Sequence, residues 1–287
     1  MSVLEIKNLT HTYNDNAAFI NDAVNNVSFS VEKGEIVGII GHTGSGKSTL
    51  VQHLNGLLKP TEGSILFENE DIWANPKEIR KIRSKVGLVF QYPEYQLFEE
   101  TVFEDIAFGP KNMGLEGDEL KQRVLKICEL VGVKPEYYEK SPFDLSGGEK
   151  RRVAIAGVLA MEPSVVVFDE PTAGLDPKGR ENVMKIIRDY RKTFNATVII
   201  ISHSMEDMAV IADRLLVMNK GKLFMFDTVE NVFGCGDALQ EIGLNVPIVT
   251  RIFKEIKRKD IDINAEIFTV SDAVKTLKEM KEGNKDA

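Results

Sequence analysis

The chain has no apolar run long enough to cross a membrane. Its longest apolar stretches, such as residues 198–201, fall far short of the ~20 residues that a transmembrane helix requires. The residues after Met1 lack the basic and apolar regions of a signal peptide, so we expect none. Any role at a membrane is therefore expected to depend on a partner protein.

Cysteine and basic residues are also in short supply. Cys128 and Cys235 are far apart and lack the spacing of metal-ligand pairs, which excludes a disulfide framework and fits a reducing compartment. We expect both to be small buried apolar residues. The 36 basic residues are outnumbered by 44 acidic ones, giving a net charge of −8. This balance disfavours a nucleic-acid partner.

Apolar residues make up 43% of the chain, enough for a packed α/β core. Helical spacing between residues 91 and 161 predicts a helical insertion between strands, and residues 215–226 predict a hairpin. Ser271 is predicted to cap a last helix. Strands buried on both faces are predicted at four short apolar segments: 36–40, 86–90, 165–168 and 198–201.

A phosphate-binding loop follows the first of these strands. Residues 41–48 match the pattern Gly-x-x-x-x-Gly-Lys-Ser, between a predicted strand and a predicted helix. Its backbone N–H groups can cradle a phosphate, while Lys47 reaches the β- and γ-phosphates and Ser48 holds Mg²⁺. The predicted nucleotide-binding residues of this segment are Gly41, His42, Thr43, Gly44, Ser45, Gly46, Lys47, Ser48 and Thr49.

Polar side chains follow the other strands of the predicted sheet. Asp169 is a candidate Mg²⁺ ligand, and Glu170 a candidate general base for an attacking water. Gln91 can reach both the Mg²⁺ and that water, and His203 can donate to the γ-phosphate. Earlier in the chain, the ring of Tyr13 is predicted to stack on adenine. ATP and Mg²⁺ are thus the expected substrate and cofactor.

A second glycine-rich turn, Leu-Ser-Gly-Gly-Glu at 145–149, cannot serve the same phosphate from the same chain. Ser146, Gly147 and Gly148 instead suggest that ATP is sandwiched between two subunits, with hydrolysis tied to a closing motion. A kinase or GTPase with a phosphate-binding loop would have no use for this turn.

With these motifs in this order, residues 3–230 resemble the ATP-binding cassette (ABC) ATPases. The resemblance implies a nucleotide-binding α/β core, an antiparallel β subdomain and a helical subdomain at about 91–161, within a domain of residues 1–230. It also implies head-to-tail closure, in which Ser146, with Gly147 and Gly148, meets the γ-phosphate held by a partner, and Asp176 couples the two sites. Glu149 departs from the family's usual glutamine, with little effect expected.

A finer resemblance is to the ATPases of energy-coupling factor (ECF) transporters, of the A-prime type and close to cobalt and biotin importer ATPases. It is carried by segments 90–102, 105–110 and 141–144. It implies a heterodimer with a sister ATPase, a membrane T-component docked near 91–110, and an S-component that binds a vitamin or transition-metal ion. Residues 231–287 would form a small C-terminal extension that contacts the other ATPase. The complex would place this chain on the cytoplasmic side of the cell membrane, as a peripheral subunit.

Two alternatives remain open at this stage. One is the ATPase of a conventional ABC importer, acting as a homodimer, and the other is a soluble ABC ATPase. The aromatic stretch formed by Tyr92, Tyr95, Leu97 and Phe98 either packs inside the helical insertion or forms an interaction groove.

Overall fold

The computed structural model describes residues 1–13, 21–259 and 263–283. Parts of the predicted domain ranges, at 14–20, 260–262 and 284–287, therefore lie outside the described residues. In the described residues, the strands are β1 (Ser2–Tyr13), β2 (Asn21–Glu32), β3 (Ile36–Ile40), β4 (Glu62–Phe67), β5 (Glu70–Asp71), β6 (Val86–Val89), β7 (Val165–Asp169), β8 (Thr197–Ile201), β9 (Arg214–Asn219) and β10 (Lys222–Thr228). The α-helices of the same residues are α1 (Lys47–Leu54), α2 (Ile79–Lys85), α3 (Val102–Asn112), α4 (Gly117–Val131), α5 (Gly147–Leu159), α6 (Pro177–Phe194), α7 (Met205–Ile211), α8 (Val229–Gly234), α9 (Gly236–Glu241), α10 (Ile248–Lys257) and α11 (Val270–Gly283).

The central sheet has the strand order β10-β9-β3-β8-β7-β6. The strands from β9 to β6 run parallel, and β10 pairs antiparallel with β9 as the predicted hairpin. Ile36 and Ile40 of β3 belong to the core on one face, and Val37 and Ile39 to the core on the other. Because both faces are covered, the parallel strands are apolar at nearly every position, which is why the continuous apolar runs predicted them.

A four-stranded antiparallel sheet, ordered β2-β1-β4-β5, shares one of these two cores. Its alternating apolar residues, such as Ile6 and Val27, pack with Leu50 and Leu54 of α1. The other face of the central sheet carries a core built with α3–α6. This arrangement leaves the carboxyl ends of the parallel strands accessible beside α1.

Between β6 and β7 the chain is helical, as predicted for the insertion. The described residues of this stretch form α3, α4, α5 and short 3₁₀ turns, including Pro93–Gln96. The buried carboxylate of Asp105 accepts hydrogen bonds from the N–H groups of Phe98 and Glu99, at 3.1 and 3.0 Å. Burial raises the pKa of Asp105. These bonds attach the turn that follows Gln91 to α3. The division of the chain into subdomains stays a prediction.

Two sequence predictions are wrong in detail. The cap of α11 is Thr269 and not Ser271, because the hydroxyl of Thr269 accepts from the N–H of Asp272 at 3.2 Å while Ser271 lies inside the helix. Cys128 is buried as expected, but Cys235 is exposed because it lies in the bend between α8 and α9.

No helix in the described ranges is both long enough and apolar enough to cross a membrane.

Candidate active site

The candidate site lies at the carboxyl edge of the central sheet. Strands β3, β8, β7 and β6 are neighbours and run parallel, so the residues that follow them meet at one edge. Gly41 follows β3, His203 follows β8, Glu170 follows β7 and Gln91 follows β6. Strand order therefore brings together residues that are far apart in the sequence.

The loop between β3 and α1 has the conformation that its glycines allow. Gly46 has a φ of 98°, and a Cβ there would lie 2.2 Å from the carbonyl oxygen of Ala23, so no larger residue fits. The ammonium of Lys47 donates to the carbonyl oxygens of Gly41 at 2.8 Å and His42 at 3.0 Å. Burial lowers the pKa of Lys47, and the charge of Glu170 opposes that shift. The lysine is thus held against the loop where a phosphate would bind.

Glu170 is held by two side chains. The amide of Gln91 donates from Nε2 to Oε2 of Glu170 at 3.1 Å. Nε2 of His203 lies 2.7 Å from Oε1, an arrangement that requires a proton on that nitrogen. The backbone of Glu170 is left-handed, with φ 48°, and its N–H donates to the carbonyl of Ile201 at 3.0 Å. Three of the predicted catalytic residues are therefore in direct contact.

Asp169 lies next to Ser48, whose hydroxyl acts on the pKa of the Asp169 carboxyl. Burial raises the pKa of Asp169, and the Ser48 hydroxyl opposes that rise. A partly buried carboxylate beside a hydroxyl supplies the oxygen ligands that Mg²⁺ prefers. These two residues, with the nearby amide of Gln91, fit a bound Mg²⁺.

A cavity of about 780 Å³ is lined by Lys47, Ser48, Gln91, Glu170 and His203 but not by Asp169. Sequence reasoning missed four of its lining residues, Asp22, Ala23, Lys220 and Gly221, which come from β2 and the turn between β9 and β10. Only a turn was predicted at 219–221, because a turn signal does not reveal what the turn packs against. The full lining is Asp22, Ala23, His42, Thr43, Gly44, Gly46, Lys47, Ser48, Thr49, Gln91, Glu170, His203, Lys220 and Gly221.

Tyr13 lies beside this cavity. Its hydroxyl is 3.4 Å from the hydroxyl of Thr49, and its exposed ring packs edge-on against His11, with the centroids 4.6 Å apart. His11 in turn packs on the buried ring of His53. Burial lowers the pKa of His53 to about 4. The two histidines therefore support the ring that is predicted to stack on adenine.

The second glycine-rich turn lies elsewhere. Ser146, Gly147 and Gly148 are exposed, and none of them lines the cavity. The hydroxyl and N–H of Ser146 both donate to the carboxylate of Glu149, at 2.6 and 2.9 Å. These bonds, together with the nearby Tyr137 hydroxyl, lower the pKa of Glu149 to about 2. We call residues 145–149 the signature turn.

Asp176 caps α6, because its Oδ1 accepts from the N–H of Gly179 at 2.8 Å. Its predicted coupling role concerns a second subunit and stays a prediction.

The fold and this edge define an ATPase with a phosphate-binding loop and a separate signature turn. The family model described as "ABC transporter" matches residues 24–173, and the chain therefore belongs to the ABC transporter family. It is an ATPase of that family, as the sequence predicted.

Among curated relatives, the energy-coupling factor transporter ATP-binding protein EcfA2 of Clostridium perfringens is 52% identical over 282 residues, covering 98% of this chain and 99% of the relative. EcfA2 of Clostridioides difficile is 49% identical over 285 residues, covering 99% of each. These relatives confirm the predicted resemblance to the ECF ATPases.

Two solved structures confirm the predicted fold. The structure of cbiO1 from Clostridium perfringens, part of the transporter complex cbiONQ, has a TM-score of 0.74 and 37% identity over 84% of this chain and 94% of that one. The ATP-binding cassette MJ0796, a dimer in a post-hydrolysis state with ADP and Pi, has a TM-score of 0.71 and 30% identity over 79% of this chain and 98% of that one.

Proposed function

We propose that this chain is the ATP-hydrolysing subunit of an energy-coupling factor transporter that imports vitamins or transition-metal ions. The observation that carries the proposal is the similarity to EcfA2 proteins, which extends over 98% of the chain and includes the segments after Gln91. A conventional importer ATPase or a soluble ABC ATPase would share the nucleotide site but not a full-length similarity of this kind.

Hydrolysis is proposed to proceed at the contact among Gln91, Glu170 and His203. Glu170 takes a proton from the attacking water, oxygen adds to the γ-phosphorus, and the bond to the ADP oxygen breaks. Gln91 orients the carboxylate and the water. His203 now faces Glu170 at 2.7 Å, so it can transfer its hydrogen bond to a γ-phosphate that enters beside it. Lys47 balances the negative charge of the phosphates.

Mg²⁺ would be held by the hydroxyl of Ser48, the carboxylate of Asp169 and the amide oxygen of Gln91. When bound, the ion neutralises charge on the β- and γ-phosphates. Asp169 has to be ionised for this role, and its pKa is raised by burial, so protons compete with the metal at a higher pH than for an ordinary aspartate.

The second half of each site is proposed to come from a sister ATPase. Ser146, Gly147 and Gly148 of the signature turn are exposed. The backbone N–H groups of the two glycines suit a phosphate held by another subunit, and the Ser146 hydroxyl can join them by exchanging its bond to Glu149 for one to that phosphate. In the closed pair, Ser146 would contact the nucleotide bound by the sister ATPase. The signature turn of the sister ATPase would contact the nucleotide bound by this chain. Asp176, at the start of α6, would couple the two sites.

The membrane T-component is proposed to dock in a groove of about 970 Å³ between α2, α3 and α5. Phe98, Phe108 and Met113 line it and expose large apolar areas, and Tyr95 beside it is 85% exposed. Leu97 is buried in the core and holds this aromatic surface in place. A groove that combines these apolar side chains with Arg80, Lys81 and Arg83 fits an amphipathic helix. We call these residues the aromatic groove.

The C-terminal extension, residues 231–287, is proposed to contact the sister ATPase. Val270, Val274 and Leu277 are exposed at helical spacing on α11, while Ala273 packs in a small C-terminal core. Ile248 and Ile252 of α10 are exposed as well. An apolar stripe of this size favours a partner protein over solvent.

Affinity purification of the full-length chain from solubilised membranes, followed by mass identification, tests the proposal. We expect one different ABC ATPase and at least one polytopic membrane protein, which would place the chain at the cytoplasmic face of the membrane. Recovery of the chain as a homodimer with one permease would favour a conventional importer. Recovery without any membrane protein would favour a soluble ATPase.

Two variants locate the contacts. Phe98→Asp should lose the membrane protein but keep the sister ATPase, whereas Phe224→Asp, exposed on β10, should keep both. Leu277→Asp should weaken only the pairing of the two ATPases. If Phe98→Asp retains the membrane protein, the aromatic groove is not its docking site.

A further inference from the structure

Arg151 is an unusually buried cation. It lies in the second turn of α5, beyond Ser146, and is 2% exposed. Its Nε and Nη2 donate to the two carboxylate oxygens of Glu94 at 2.9 and 3.0 Å. This is the two-bond geometry that a guanidinium and a carboxylate form best. Because the pair is buried, removing one partner leaves the other charge buried without its counter-ion, which is strongly destabilising.

The third nitrogen of the same guanidinium contacts a different segment. Nη1 of Arg151 donates to the carbonyl oxygens of Ala173 at 2.8 Å and Pro171 at 3.4 Å. The guanidinium carbon also lies 5.7 Å from the ring centroid of Tyr92. One side chain on α5 therefore joins the turn after β6 to the turn after β7.

Both turns begin with a strained residue next to the reacting groups. Tyr92, directly after Gln91, has φ 56°, and Glu170, directly before Pro171, has φ 48°. Left-handed backbone is unfavourable for residues other than glycine, and it persists only where the surroundings hold it. A Cβ at Gly174 would lie 3.6 Å from the Tyr92 ring, so that ring also packs on the turn after β7.

We propose that Arg151 is a positioning residue that holds Gln91 and Glu170 in register and fixes both to the helix that carries the signature turn. The inference rests on the proposed roles of Glu170 and Ser146. It goes beyond them because Arg151 is not among the residues that line the cavity.

A lysine cannot replace this arginine. The contacts require three nitrogens that point in three directions, whereas a lysine ammonium presents its donors from one point. Arg151→Lys would keep the charge opposite Glu94 but lose the carbonyls of Pro171 and Ala173. Charge alone is therefore expected to restore little activity.

The test compares Arg151→Met, Arg151→Lys and Glu94→Gln in the full-length chain, purified as the complex with its partner ATPase and membrane component. Nucleotide affinity is measured with a fluorescent ATP analogue, beside kcat, KM and Tm. We expect Arg151→Met to lower kcat about 10-fold or more, with nucleotide affinity within about two-fold, because only groups that act in the transition state are misplaced. Arg151→Lys should recover little of the loss, and Glu94→Gln should lower kcat in the same direction.

The double variant Arg151→Met with Glu94→Gln should be no worse than Arg151→Met alone, since the two residues act through one contact. The matched control is Arg191→Met. Arg191 donates to the carbonyl of Gly34 and pairs with Asp213 near the amino end of β3, away from the site. It should lower Tm while kcat stays within about two-fold.

Three results would overturn the inference. One is an unchanged kcat in Arg151→Met, and another is a joint loss of affinity, kcat and Tm like that of any core defect. The third is additive losses in the double variant. Should Arg151→Met fail to fold, Glu94→Gln alone decides, because it leaves the arginine in place. A parallel Glu170→Gln variant distinguishes failure of the proposed function from failure of this inference. If Glu170→Gln is inactive while Arg151→Met is active, the role of Glu170 as the base stands and only the positioning role of Arg151 fails.

Discussion

The two phosphate-facing regions of this chain differ in how complete they are. The loop after β3 lies in a cavity whose walls come from four strand ends, from β2 and from the turn between β9 and β10. Lys47 contacts the loop, and His203 contacts Glu170. The signature turn is exposed, and its serine is bonded to Glu149 within the same turn. The first region is assembled by one chain, whereas the second is proposed to complete a nucleotide site in another subunit.

Charge is managed differently in the two regions. Burial lowers the pKa of Lys47 and raises that of Asp169, so both groups are held in surroundings that favour an incoming opposite charge. At the signature turn, Glu149 is ionised at physiological pH as an ordinary glutamate is, and hydrogen bonds lower its pKa further, to about 2. A phosphate arriving at Ser146 therefore meets a fixed negative charge.

The largest expected effect is in the first region. Glu170→Gln removes the base but keeps an amide that Gln91 and His203 can still contact, so turnover should fall about 10²–10³-fold. ATP should remain trapped in a closed pair of ATPases, detectable as nucleotide that survives gel filtration. Glu230→Gln, an exposed carboxylate on α8, serves as the control. If the Glu170→Gln variant hydrolyses ATP at the wild-type rate in the assembled complex, Glu170 is not the general base.

The next effect separates the two regions directly. Ser146→Ala should reduce hydrolysis about 10-fold while the affinity of the isolated chain for ATP is unchanged, because Ser146 is proposed to serve another subunit's nucleotide. Lys47→Ala should instead abolish ATP binding to the isolated chain. Equilibrium binding and steady-state hydrolysis measure the difference. Equal loss of binding in both variants would contradict the division into two regions.

A smaller effect is expected at the cavity rim. Tyr13→Ala should raise the KM for ATP about 3- to 10-fold with little change in kcat, since stacking on adenine contributes to binding and not to the chemical step. Tyr13→Phe keeps the ring and should behave as wild type. The KM values for ATP and for inosine triphosphate are compared in the same assay. A fall in kcat without a rise in KM would assign Tyr13 another role.

The smallest effect concerns Glu149. Glu149→Gln removes the negative charge beside Ser146 yet leaves an oxygen to accept from its N–H, so ATP-driven pairing should strengthen by about two-fold. Titration of ATP against pairing of the two ATPases, followed by light scattering in the Glu170→Gln background, measures it. Weaker pairing would mean that the carboxylate mainly supports the turn.

Sequence patterns predicted most of the central sheet and the strand-end residues. A short, continuous apolar run most often indicates a strand that is buried on both faces. A residue that directly follows a parallel strand must lie at the carboxyl edge of the sheet. The patterns could not reveal Lys220 and Gly221 in the cavity wall, because β9 enters the sheet beside β3 from far along the chain. Arg151 was missed for the same reason, since Glu94 and Ala173 approach it only in the fold.

The misplaced cap of α11 shows a limit of local pattern as well. Thr269 and Ser271 are both capping residue types two positions apart, and only the bond from Asp272 distinguishes them. The two cysteines likewise belong to one residue type with two environments, one in the core and one in a helix junction.

Hydrogen–deuterium exchange of the purified complex, carrying Glu170→Gln and compared with and without ATP, tests the central claim most directly. The account predicts that ATP protects amides at both 41–48 and 145–149 in the complex, but only those at 41–48 in the isolated chain. Protection confined to 41–48 in the complex would contradict the claim that the signature turn completes another subunit's nucleotide site.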